Sequence, residues 1–233
     1  AGYFAGAVYL DDDRKYFLAR PLATPAAAQW VGNNDIGLGA NVVLWRAGYY
    51  LSVAAIDGKA NREYPQFNSF ADGQFLYLAE AGFEQDVDGP NEMIFRITTS
   101  HLDLDGDNPD QGPGESLIVS ATKRFDDIWA VFGRWSKSYR RFAPDYRELL
   151  SLGTAWLQPF GNSEDFLGLG VFFGDPSNAA LGDEYGAELS YKLQLTQDVS
   201  MMPDLQYWHR DDPEPASQRT STWIAGVRLN FEF

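Results

Sequence analysis

The chain has 233 residues, a formal charge of −15 and no cysteine. A pI near 4.4 argues against a nucleic-acid partner, because phosphate needs a basic surface, and the missing cysteines remove disulfides, thiol nucleophiles and thiolate zinc sites. No run approaches the ~18–20 consecutive apolar residues of a membrane-spanning helix, and nothing at the N-terminus reads as a signal peptide.

Tyr3–Leu10 is the first predicted strand. Asp11–Asp35 follows as an irregular segment, opening on Asp11, Asp12 and Asp13 and broken by Pro21 and Pro25. Ile36–Trp45 sets Ile36, Leu38, Ala40, Val42 and Leu44 against Gly37, Gly39 and Asn41, and a tight Arg46-Ala47-Gly48 turn leads into Tyr49–Ile56. After the polar loop Asp57–Gly73, Gln74–Glu84 places Phe75, Tyr77, Ala79, Ala81 and Phe83 opposite Glu80, Gly82 and Glu84. In Met93–His101 the residues Met93, Phe95 and Ile97 face away from Arg96 and Thr98. The Asp/Gly/Pro-rich loop Leu102–Gly114 precedes Glu115–Arg124 and Ile128–Lys137, joined by a minimal turn at Phe125-Asp126-Asp127. A basic loop, Ser138–Arg147, leads to the glycine-rich pair Leu149–Leu157 and Phe166–Phe173 around the turn Pro159–Asp165. The loop Gly174–Asp183, the strands Glu184–Leu195 and Val199–His209, and the loop Arg210–Thr220 then lead to the last strand, Trp223–Phe233.

Alternation on strand after strand, with no helical segments to cover the apolar faces, points to lipid as the solvent of those faces. A mean hydropathy of −0.33 agrees, since barrel strands show only alternate residues to the membrane. The pattern predicts an all-β fold: a transmembrane antiparallel up-and-down β-barrel of about twelve strands, one domain over the whole chain. Short turns alternate with long loops, which puts Arg46–Gly48, Phe125–Asp127 and Thr196–Asp198 in the periplasm and Leu102–Gly114 and Arg210–Thr220 outside. Trp129, Trp156, Phe231 and Phe233 then fall at the turn level, and Trp135, Tyr185, Tyr207 and Trp223 at the loop level, as two interfacial belts. A soluble sandwich or lipocalin-like barrel also alternates, but its small interior does not hold the large apolar side chains of so many strands.

The run Glu188-Leu189-Ser190-Tyr191-Lys192-Leu193-Gln194-Leu195-Thr196, then Pro203-Asp204-Leu205-Gln206-Tyr207 and Gly226-Val227-Arg228-Leu229, resembles the C-terminal signature of OprB-type carbohydrate-selective outer-membrane porins. Gly48-Tyr49-Tyr50-Leu51, Ala55-Ile56-Asp57-Gly58, Leu78-Ala79-Glu80-Ala81-Gly82-Phe83 and Val131-Phe132-Gly133-Arg134 resemble the same family, so the likeness runs from Ile36 to Phe233. The resemblance implies the outer membrane of a Gram-negative bacterium, passive diffusion of sugars and small hydrophilic solutes, and a barrel of about sixteen strands. Either this is a smaller barrel or the chain is the C-terminal part of a longer one, which the lack of likeness before Ile36 favours. A general non-selective porin and, less favoured, a phospholipase-like barrel enzyme are the alternative functions.

The same alternation turns Glu80, Arg96, Arg134, Glu188, Lys192, Asp204, Gln206 and Arg228 toward the lumen, a wall of mixed charge such as tunes porin selectivity. A hairpin centred on Gln197 sets Ser190 opposite Asp204, Glu188 opposite Gln206 and Lys192 near Met202, with Arg228 within reach of Asp204. Tyr50, Phe132 and Trp208 point inward, either as aromatic faces for a sugar ring or as space-fillers. His101 and His209 are the two histidines, and Ser100 beside His101 points to the opposite face, so no catalytic residue and no cofactor is proposed. Asp103, Asp105 and Asp107 have the alternate-carboxylate spacing of a calcium loop without its sixth-position Gly or twelfth-position Glu. An acidic surface loop is the plain alternative, and external carboxylates also bridge lipopolysaccharide through divalent ions. The expected partners are small sugars, outer-membrane lipid, lipopolysaccharide and further copies of the chain, with no nucleic acid.

Overall fold

The computed structural model describes residues 17, 19–23, 39–57, 73–87, 89–102, 114–140, 145–178, 180–211 and 220–231. Eleven strands follow in order: β1 (Gly39–Arg46), β2 (Tyr49–Asp57), β3 (Phe75–Gln85), β4 (Met93–Leu102), β5 (Gly114–Phe125), β6 (Trp129–Arg140), β7 (Tyr146–Leu157), β8 (Phe166–Pro176), β9 (Glu184–Thr196), β10 (Val199–Arg210) and β11 (Thr220–Phe231). They form one antiparallel meander in which each strand pairs with its sequence neighbours. A single helical turn, α1 (Arg20–Ala23), precedes the sheet. No helix among the described residues is long and apolar enough to cross a membrane. The strand expected at Tyr3–Leu10, the calcium-type loop with Asp103, Asp105 and Asp107, and Phe233 lie outside the described residues.

The period-2 pattern becomes a sheet of inverted polarity. In β2 Tyr50, Ser52, Ala54 and the terminal Asp57 are buried, while Leu51 and Val53 are each 47% exposed. Further along, Ser116, Ser120, Arg134, Ser136, Ser151, Glu188, Ser190 and Asp204 are buried, and Phe95, Ile97, Val131, Leu152, Leu169, Leu189 and Leu205 are exposed. A soluble sheet hides its branched aliphatics and wets its serines. This one does the reverse, as a lipid-facing wall must.

Both aromatic belts are present. At the turn level Trp129 pairs with Trp156 and stacks on it at 5.8 Å, Tyr49 meets Phe83 at 4.8 Å, and Phe160 meets Tyr191 at 5.9 Å. At the loop level Tyr207 pairs with Trp223 at 5.0 Å, and Tyr185 stacks between Phe173 and His209. Trp135 stands further from its strand end than expected, because β6 continues to Arg140.

That continuation corrects the loop lengths read from the sequence. Ser138–Arg147 was expected to be one loop, yet β6 and β7 leave only 141–145 between them, and β8 and β9 leave 177–183. The opposite-side turn, 158–165, is as long as these loops, so short and long connections do not alternate strictly there. Charged cross-strand pairs carry the ladder past the apolar band: Lys137 Nζ lies 2.8 Å from Glu148 and Arg147 lies 2.7 Å from Asp175. A twelve-residue strand such as β6 rises about 40 Å at ~3.3 Å per residue, more than a tilted crossing of the hydrocarbon requires, and the surplus forms a polar rim. At β1–β2, left-handed backbone at Ala47 (φ 51°) and Gly48 (φ 84°) makes the tight hairpin turn expected.

Two predictions follow from this polarity. Leu229→Arg, on the outward face of β11, should cost about 2–4 kcal/mol in urea titrations of the membrane-inserted protein if it lies near the midplane, whereas Arg228→Leu should fold nearly normally. Cysteine at Asn178 should react with an impermeant maleimide on intact cells and cysteine at Asp126 should not; the opposite labelling would reverse the orientation.

Candidate functional site

The inward face of the sheet is where the chain can meet a solute, and its centre is occupied by a segment from outside the sheet. Phe17, Ala19 and Leu22 are at most 2% exposed and pack with Phe132, Leu149, Phe166 and Phe172. The ring of Phe17 lies 5.7 Å from that of Phe132 and 6.0 Å, edge-on, from that of Phe166. Glycines make the room: a Cβ on Gly170 would stand 2.7 Å from Leu22. Among the described residues, hydrogen bonds from the wall hold the segment's backbone. The Ala19 amide donates to Glu188 Oε2 at 2.6 Å, Ser151 Oγ donates to the Pro21 carbonyl at 2.7 Å, and Arg134 Nη2 donates to the Leu22 carbonyl at 3.2 Å. Carbonyl and amide groups brought against an apolar core need such partners.

The residues expected on the wall all lie on this face, but in different circumstances. Arg134 and Glu188, 1% and 0% exposed, clasp the inner segment instead of facing open space. Phe132 is spent packing on Phe17. On the other flank Glu80 accepts from Tyr50 Oη and Thr98 Oγ1, each at 2.6 Å, which commits the Tyr50 hydroxyl as well. Beside it Arg96 pairs with Glu84 at 2.9 Å. Lys192 sits at the turn end, 3.9 Å from Glu164.

The β9–β10 register is as expected, with Ser190 opposite Asp204 and Glu188 opposite Gln206. Asp204 Oδ2 accepts from the Gln206 side chain at 2.9 Å. Arg228 stands across from Met202, and Asp204 across from Gly226. Trp208 keeps part of its indole exposed; its Nε1 donates to Gln206 Oε1 at 3.1 Å and its ring meets Phe172 at 4.7 Å. The clasping serine, Ser151, and the inner residues Phe17, Ala19 and Leu22 escaped the sequence reading. Their only signal was an irregular Asp/Pro segment with isolated apolar residues.

The two histidines take different places. Ser100 Oγ shares a 2.6 Å hydrogen bond with Ser116 Oγ on the inward face, while His101 lies 3.5 Å from Glu115 and stacks on Tyr77 on the outward one. His209 touches Ser221 Oγ through Nδ1 at 2.8 Å and Asp211 through Nε2 at 3.1 Å, joining β10 to β11 at the loop-side rim. Its ring stacks on Tyr185 at 4.6 Å in the outward aromatic belt.

If Glu188 anchors the inner segment, Glu188→Ala should strand the Ala19 amide and lower stability by about 1–3 kcal/mol in urea titrations. Glu164→Ala, removing a surface carboxylate, should change it by at most about 1 kcal/mol. Equal costs would show that the segment gains nothing from Glu188.

Residues 145–233 match the family described as carbohydrate-selective porin, OprB family. No curated protein matches the sequence. Among solved structures, OprB of Pseudomonas putida superposes with a TM-score of 0.63 at 15% identity, over 84% of this chain and 58% of that one. An engineered porin of Rh. blastica gives 0.51 at 15% identity, over 84% of this chain and 55% of that one. The chain thus spans a little over half the length of the solved porins it resembles. At this identity the likeness speaks for the fold. The C-terminal part, β7 to β11, is similar in sequence to the OprB carbohydrate-selective porins, and the sheet as a whole has the porin architecture.

Proposed function

We propose that this chain forms most of the wall of an outer-membrane diffusion channel that passes sugars and related small hydrophilic solutes. One observation carries the proposal: a long antiparallel meander that turns its apolar residues out between two aromatic belts and its charged and hydroxylated residues in. The described sheet does not pair β1 with β11, and hydrocarbon tolerates no open strand edge. Further strands, from the same polypeptide or another copy, therefore complete a barrel of about sixteen, wide enough for water. Contacts with lipopolysaccharide and association between copies belong to the same proposal, supported by the charged loop-side rim and the broad apolar exterior.

Sugars are favoured over ions because the inward charges are of both signs and largely paired locally, as Arg96 with Glu84. A wall of that kind makes no single-sign ring, yet it offers donors and acceptors that replace the hydration of a hydroxylated solute. The similarity of 145–233 to a carbohydrate-selective family points the same way. No catalytic group is assigned, since the proteins it resembles are channels.

The full-length protein in liposomes should admit monosaccharides faster than zwitterionic amino acids of similar size. Equal swelling rates would leave a general porin, and no swelling at all would leave a plugged barrel.

A further inference from the structure

The connection between β7 and β8 is built unlike its neighbours on the turn side. Residues 126–128 and 197–198 suffice to join β5 to β6 and β9 to β10, whereas 158–165 stand between β7 and β8. The longer turn is not slack. The Gln158 amide donates to the Asp165 carbonyl at 3.1 Å, the Gly161 amide to the Gln158 carbonyl at 3.0 Å, and the Asp165 amide to the Asn162 carbonyl at 3.1 Å. The buried Asp165 carboxylate accepts from Tyr191 Oη and from the Gln194 amide, each at 3.0 Å, which staples the turn to β9. Gln158 enters the turn with left-handed backbone (φ 54°), a conformation unfavourable for a residue with a Cβ.

This scaffold displays Phe160, whose side chain is 78% exposed, more than any other large hydrophobic among the described residues. Its ring lies 5.9 Å from that of Tyr191, edge-on, and 6.5 Å from that of Trp156. Trp129, Trp156, Leu167 and Tyr191 stand side by side across β6 to β9 on the outward face. By bridging Trp156 and Tyr191, Phe160 overhangs Leu167, so the turn folds back onto the lipid side of the wall. A rigid turn cannot tuck the ring away from water, and a ring held out in this way marks a contact surface.

Resting on the outer-membrane reading above, we infer that the 158–165 turn is a docking site for the headgroup of a zwitterionic, ammonium-bearing phospholipid in the turn-side leaflet. Continuity with the aromatic belt puts Phe160 at headgroup depth. An ammonium over the ring face gains a cation–π contact. Exposed Glu164 supplies the opposite charge, since Lys192 engages its carboxylate only at 3.9 Å. A headgroup with net negative charge and no ammonium meets Glu164 and, in the turn before Trp129, Asp126.

Native mass spectrometry of the detergent-solubilised full-length protein, given equal amounts of phosphatidylethanolamine and phosphatidylglycerol, measures the docking directly. Phosphatidylethanolamine should be retained in preference. Phe160→Ala and Glu164→Gln should each lower its retention about threefold or more, and Phe160→Tyr should stay close to the unaltered protein. Both side chains lie outside the apolar core, and the urea midpoint checks that each variant folds. Equal retention of the two lipids, or retention that neither Phe160→Ala nor Glu164→Gln changes, would overturn the assignment. So would loss of an oligomer in Phe160→Ala with lipid retention unchanged, because a second copy would then cover the ring. The readout is independent of flux: Phe160-dependent retention in a protein that fails the swelling assay would refute the channel and keep the docking site. Swelling with retention indifferent to Phe160 would do the reverse.

Discussion

Hydrocarbon offers no partner to a backbone amide, and the neighbour relations in this sheet follow from that constraint. An up-and-down meander answers it with the shortest connections, each strand satisfying the one before it. Once the backbone is paired laterally, side chains have two destinations. Leu169, Leu189 and Leu205 go to lipid, and Gly170, Glu188 and Asp204 go inward. The inverted polarity is therefore not a second design feature beside the ladder; the ladder in lipid requires it.

The interior then poses the opposite problem. A wall rich in Ser, Glu and Arg has polar groups that must be met by water or by protein. Along β6 to β9 protein meets them: the Pro21 and Leu22 carbonyls accept from Ser151 and Arg134 and the Ala19 amide donates to Glu188, while Phe17 and Leu22 seal the gap over the glycines of β8. Burying an arginine and a glutamate is costly unless hydrogen bonds return the loss, and here they return it to chain atoms that also need partners. These two buried charges thus act as brackets. Trp208 and the Glu184–Arg210–Tyr146 group lie beyond the bracketed stretch and keep access to the mouth.

The rim shows how local pairing decides where a strand ends. Glycine and proline near 174–176 and a basic run near 138–147 read as loop, yet β8 continues through the first and β6 and β7 extend into the ends of the second. Salt bridges between Lys137 and Glu148 and between Arg147 and Asp175 are cross-strand contacts, invisible to any single-strand pattern. Exposed pairs contribute little individually, but the backbone ladder beneath them needs little help once the register is set.

The sequence by itself determined the strands, their order, their two faces and the aromatic belts, because a period of two and the turn residues between strands are local properties of the chain. The register of Ser190 on Asp204 and Glu188 on Gln206 was legible for the same reason: a tight turn fixes the pairing of a hairpin. What lies over the inward face was not legible. Phe17 meets Phe132 and Phe166, and the Ala19 amide meets Glu188, across sequence separations that no periodicity records. Only the tertiary structure decided that Arg134 and Glu188 are occupied and that Trp208 is accessible, because curling the sheet around that segment assigns each inward side chain either a protein partner or open space.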